Sequence, residues 1–145
     1  MKATLKPGIV GEHRFVVSDS KTVPALYPES GEFSAMPEVF ATGFLVGFLE
    51  WACIRVINPH LDWPAEQTVG THVDISHDAA TAPGMEVTAK VELIEVSGRK
   101  LVFRVEAHDP AGRISRGRHE RVVIDRDRFS EKAAGKARRY AGGPA

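Results

Sequence analysis

Apolar residues fall into two patterns along this chain. From Phe40 to Val56 they run almost unbroken, FATGFLVGFLEWACIRV, without the polar stripe of a surface helix. That stretch predicts a helix wrapped by other structure, ended by Asn58-Pro59 and the Asp62 to Pro64 segment. Beyond it, apolar and polar residues alternate. Thr68–Ser76 sets Val69, Thr71, Val73 and Ile75 against His72, Asp74 and Ser76, the period of a half-buried strand. Met85–Val96 puts Val87, Ala89, Val91 and Leu93 on one face; Lys100–His108 does the same with Leu101, Phe103 and Val105. A last run, Arg113–Asp125, ends in the apolar RVVID, and His13–Ser18 predicts a short first strand. Turn signals at Ala82-Pro83-Gly84, Ser97-Gly98 and Asp109 to Gly112 separate the later runs. Consecutive short turns predict antiparallel neighbours.

Two regions break the pattern. Asp19 to Pro37 is rich in proline and polar residues, yet Val23, Leu26, Tyr27, Phe33 and Met36 recur in it. A loop of that length inside a domain reads as a lid or as an irregular seal over the core. Residues 1–12 read as a loose lead-in. From Arg126 the chain turns basic and small-residue rich, and a flexible tail is expected over 126–145. The expectation is an α+β fold: one domain over 1–125, with a lid-like loop at 19–37 and a long helix against about five antiparallel strands.

Composition narrows the function classes. At 145 residues the chain can bury a real core, and 19 acidic residues balance 19 basic ones. Nothing in that balance demands nucleic acid or an anionic membrane. The single cysteine, Cys53, excludes an internal disulfide framework and suits a reducing cytoplasm. The apolar run spans about 16 residues between Glu38 and Arg55, short of a bilayer. No phosphate-binding glycine loop, dinucleotide fingerprint or Cys/His metal spacing occurs, so no metal is expected.

Glu50 stands out as an acid inside the apolar helix. A carboxylate there must pair with something or shift its pKa. Thr42 lies eight residues upstream, roughly 12 Å away along a straight helix, which is beyond side-chain contact. Thr42 is therefore expected in the turn before the helix, folded back toward the site; as an ordinary N-cap it would serve structure alone. His77 closes a predicted strand and can carry a proton near neutral pH. Cys53 reads as inert core.

The segments PEVFATGFLVGFLEWACIRV (37–56), VGTHVDISHDAATAPG (69–84) and GRHERVVI (117–124) together resemble the fluoroacetyl-CoA thioesterase group of hotdog enzymes. The likeness extends from about Lys21 to Ile124. It implies a hotdog fold and acyl-CoA thioester hydrolysis by a homodimer, with Thr42, Glu50 and His77 as catalytic residues. Gly70 would lie near the acyl pocket, Arg121 in the substrate site, and Val23, Leu26, Phe33 and Met36 in the lid. The fluoroacetyl-specific member has a phenylalanine where this chain has Met36, a more flexible side chain. Coenzyme A is then part of the substrate, and no separate cofactor is expected. Glu50 could attack the thioester or activate a water. Alternative readings are a non-hydrolytic hotdog protein, either enoyl-CoA hydratase-like or an acyl-CoA binding module.

Overall fold

The computed structural model of the chain describes residues 1–141. Its five strands are β1 (Val10–Val16), β2 (Glu66–Ile75), β3 (Glu86–Ser97), β4 (Lys100–Asp109) and β5 (Gly112–Asp125). They form one antiparallel sheet in the order β1-β3-β4-β5-β2. The long helix α3 (Thr42–Ile57) lies across it and buries Leu45, Phe48, Leu49, Ala52, Cys53 and Ile57. Val87, Ala89, Val91 and Leu93 of β3, with Leu101, Phe103 and Val105 of β4, are buried in the same core. These are the alternating faces read from the sequence. Each fully buried large apolar side chain contributes about 1.5–3 kcal/mol, so this layer holds α3 in place.

The sheet order corrects one expectation. The chain does not turn back from β2 onto β3. After β2 it continues beside β5, where Ser76 and Asp78 donate backbone N–H groups to Arg116 and Ile114 at 2.9 and 2.7 Å. It then meets Phe40 through the Thr81 carbonyl and Val17 through the Gly84 N–H before entering β3. The polar segment after Ile75 thus carries the chain across the end of the sheet, leaving β2 as an edge strand.

Both termini differ from expectation. The lead-in is pinned: Leu5 is buried, Lys2 donates to the His60 carbonyl, and Gly8 donates to Leu93. The basic tail forms a helix, α4 (Arg126–Tyr140), none of whose side chains is buried. Local terms hold it: the Asp125 carboxylate caps the Arg128 N–H at 2.9 Å, and Arg138 pairs with Glu131 at 2.6 Å. The Gly-Gly-Pro ending lies outside the described residues.

The segment over 19–37 contains two single helical turns, α1 (Val23–Leu26) and α2 (Gly31–Ser34). Its base is clamped by the Thr22–Phe40 bridge and by Val23 donating to Val39 at 2.9 Å. Its tip is capped locally by Ser30, whose Oγ accepts from the Phe33 N–H. Tyr27 stacks on Phe33 with ring centroids 5.8 Å apart.

Candidate active site

The predicted site residues separate into two clusters within one chain. The first joins the start of α3 to the segment after β2. Thr42 Oγ1 lies 2.8 Å from His77 Nδ1. Both line an open pocket of about 280 Å³, together with the lid residue Val23 and Val39, Asp78 and Ala80. The helix start differs from expectation: Thr42 is the first helical residue, and Ala41 occupies the cap position without a side-chain hydrogen bond. Thr42 is therefore neither a cap nor folded back. Burial pulls the His77 pKa below its ordinary 6.5, against the opposing charge of Asp78. His77 Nε2 is itself buried and has no hydrogen-bond partner among the described residues.

The second cluster sits midway along α3, where the helix crosses β5 and β2. Arg121 Nη1 donates to Glu50 Oε2 at 2.7 Å. The guanidinium is buried; Nε donates to Thr68 Oγ1 and Nη2 to the Thr68 carbonyl, each at 2.8 Å. His119, only 2% exposed, accepts from Arg121 Nη1 at 3.0 Å through Nε2. Its Nδ1 lies 2.8 Å from the His72 carbonyl, which can only accept, so the proton resides on Nδ1. Burial lowers the pKa of His119 and favours this neutral form. Glu50 Oε1 has no hydrogen bond among the described residues, and a third of the side chain reaches solvent.

Gly70 makes the second cluster sterically possible. A Cβ there would stand 2.6 Å from Glu50 Oε2 and 3.2 Å from His119 Cε1. The β2–β5 register slips between Gly70 and His72, where the glycine faces the carboxylate. Of the lid residues, Leu26 packs on Gly43, with contacts from 3.0 Å to a Cβ built there. Phe33 is half-buried and Met36 is 48% exposed, and neither lines the Thr42–His77 pocket in the single chain. Cys53 is fully buried one turn from Glu50; its thiol pKa is pushed up to about 12, which makes it inert as a nucleophile.

His119 and Thr68 are the members that sequence reading missed. His119 is one histidine among six, with no local pattern to mark it. Its signal was its position two residues before Arg121, since strand residues i and i+2 share a face.

Comparison with known proteins follows the same lines. Residues 17–127 match the model of the fluoroacetyl-CoA-specific thioesterase family. The fluoroacetyl-CoA thioesterase of Streptantibioticus cattleyicolor is 50% identical over 132 residues, covering 91% of this chain and 94% of that protein. The crystal structure of a fluoroacetyl-CoA thioesterase mutant in complex with fluoroacetate superimposes with a TM-score of 0.88 at 48% identity, covering 91% of this chain and 98% of that one. A thioesterase superfamily member from Thermus thermophilus is 26% identical, with a TM-score of 0.82 over 95% of this chain and 97% of its own. With its five-stranded antiparallel sheet and long central helix, the chain belongs to the fluoroacetyl-CoA-specific thioesterase family of hotdog-fold hydrolases.

Proposed function

We propose that the chain hydrolyses small acyl-CoA thioesters, fluoroacetyl-CoA among them, at a site completed by a second copy of itself. The division of the site carries this reading. Thr42 and His77 meet at the start of α3, whereas Glu50 turns to Arg121 two helical turns away, roughly 12 Å along the axis. The unpartnered His77 Nε2 supports it too, because buried polar groups are normally satisfied. The outward face of α3 carries Gly43, Gly47 and Trp51, all exposed, and Val73 of the edge strand β2 is exposed as well. A two-fold axis across that face sets two α3 helices antiparallel. The start of one then lies opposite the middle of the other, so Thr42 and His77 of one subunit face Glu50 of the partner subunit.

In this arrangement the free N–H groups of the first turn of α3 stabilise the developing oxyanion. Glu50 presents its unbonded Oε1 to the reaction, either to the acyl carbon or to the attacking water. A C–O bond forms and the C–S bond breaks; neutral His77, held by Thr42, takes the proton that water gives up and delivers it to the departing sulfur. Where Glu50 attacks first, that water opens the resulting anhydride to release the acid. Coenzyme A is the leaving group, and the reaction calls for no further cofactor. No described helix is long and apolar enough to cross a membrane. The free, buried Cys53 suits the cytoplasm, where we place the enzyme.

Subunit mixing tests the shared site. Glu50→Gln and His77→Ala proteins should each be nearly inactive in thiol release from acetyl-CoA and fluoroacetyl-CoA. Mixed in equal amounts under subunit exchange, they should recover about a quarter of wild-type activity, since half the dimers carry one intact site. A mixture as inactive as its components would mean that the site is not shared. Formation of hydroxyacyl-CoA, or saturable binding without turnover, would favour the hydratase-like or binding-module reading instead.

A further inference from the structure

On its outer face the sheet holds a feature that the proposed reaction does not use. An open recess of about 650 Å³ lies over β4, β5 and the end of β2, lined by Arg104, Arg113, Arg116 and Arg118 against the acids Asp74 and Glu106. Four guanidinium groups thus face two carboxylates on a chain with no net charge. Arg104 pairs with Glu92 at 2.9 Å, whereas Arg113, Arg116 and Arg118 have no carboxylate within 4.0 Å among the described residues. Arg104 and Arg118 are also direct register partners across β4 and β5. Like charges placed directly opposite destabilise a sheet, and an anion between them would relieve the repulsion. Gly117 allows the close approach of β2 here, since a Cβ would meet the Asp74 carbonyl oxygen at 2.0 Å. Arg116 and Arg118 flank it on one face of the strand.

The recess begins one residue from the catalytic pair. Ser76 lines it, and Arg116 donates its backbone N–H to Ser76 Oγ at 3.2 Å. The next residue, His77, points to the opposite face and meets Thr42. Only the exposed segment after β2 separates the two, and Asp78, Ala79 and Ala80 leave that crossing open.

We propose that this recess binds the 3′-phosphorylated nucleotide end of coenzyme A, with the pantetheine arm crossing the chain at Ser76 to Ala80. The assignment rests on the acyl-CoA reading above. Guanidinium groups suit phosphate because they offer several donors in a fixed plane.

The test compares acetyl-CoA with S-acetyl-pantetheine, which lacks the nucleotide. The double variant Arg116→Ala, Arg118→Ala should lower the ratio of kcat/KM for acetyl-CoA to that for S-acetyl-pantetheine by roughly tenfold or more. An unchanged ratio would overturn the assignment. Calorimetric titration of the full chain with adenosine 3′,5′-bisphosphate reads binding without turnover. Binding should be present in wild type and lost in the double variant; equal binding to both proteins would also overturn the assignment. Inorganic phosphate binding as tightly as the bisphosphate would make this a free-anion site and overturn the nucleotide assignment. Should wild type release thiol from neither thioester, the acyl-CoA reading fails, and the bisphosphate titration alone decides whether the recess takes a nucleotide.

Discussion

The two clusters along α3 differ in how far one chain completes them. Around Glu50 the arrangement is nearly closed: Arg121 is buried, all of its partners come from the same chain, and His119 is held from both ring nitrogens. Around Thr42, among the described residues, there is one side-chain hydrogen bond, an open pocket and a buried nitrogen without a partner. A single fold can therefore preorganise a carboxylate while leaving a threonine–histidine pair in an open pocket. Electrostatic positioning is worth most where it is rigid before substrate binds, and the Glu50 cluster has that rigidity.

This contrast can be broken experimentally, and the largest effect is expected at its centre. Glu50→Gln keeps an acceptor for Arg121 but removes the carboxylate proposed to attack or act as base. Its kcat/KM in a thiol-release assay should fall on the order of 10²–10⁴-fold, with a smaller loss of Tm than Arg121→Ala. A rate within threefold of wild type would remove Glu50 from the chemistry. Stability separates the clusters next. Arg121→Ala strands Thr68, His119 and the ion-paired carboxylate, and should cost about 2–4 kcal/mol in urea unfolding, below a fully buried pair because Glu50 reaches solvent. His77→Ala should cost less than about 0.5 kcal/mol, since its only hydrogen-bond partner among the described residues, Thr42, is exposed. Equal losses would contradict this division between the two clusters.

The pH profile sharpens the open half. Burial lowers the pKa of His77, so its neutral form persists below 6.5 and is lost only as pH falls through the depressed value. The acid limb of kcat/KM should therefore lie below pH 6.5. Asp78→Asn, which removes the charge that raises this pKa, should move the limb lower still. The unfolded chain binds the proton more readily, so this histidine also makes stability fall as pH drops below 6.5. An acid limb above pH 7 would break the assignment. The smallest effect belongs to the lid. Met36 is half exposed and methionine is an adaptable side chain, so Met36→Phe should change the fluoroacetyl-CoA to acetyl-CoA preference only a few-fold. A change of a hundredfold would make this one residue the main determinant of acyl choice.

Much of the fold was legible along the chain because burial is periodic. Val87, Ala89, Val91 and Leu93 alternate and are all buried, and the unbroken run from Phe40 to Val56 is the helix laid across them. The motifs also pointed to Thr42, Glu50, His77, Gly70 and Arg121. They did not show that these residues divide into two groups. His119 was overlooked because a lone histidine has no distinguishing local pattern, whereas its place beside Arg121 depends on strand face. The helix over Arg126–Tyr140 was missed for a related reason: no apolar stripe is buried there, and capping plus exposed ion pairs hold it instead.

The sequence by itself determined that a buried helix would carry one acid and that alternating strands would cover it, because both facts are written in the spacing of neighbouring residues. Only the tertiary structure decided which groups meet. Strand pairing brings Gly70 opposite Arg121 across β2 and β5, while the crossing after Ile75 delivers His77 to Thr42. Those contacts join residues dozens of positions apart, and pairing order and register, which set them, leave no periodic trace in the chain. Glu50, first seen as an acid out of place, is placed by that register against an arginine that the same sheet had buried.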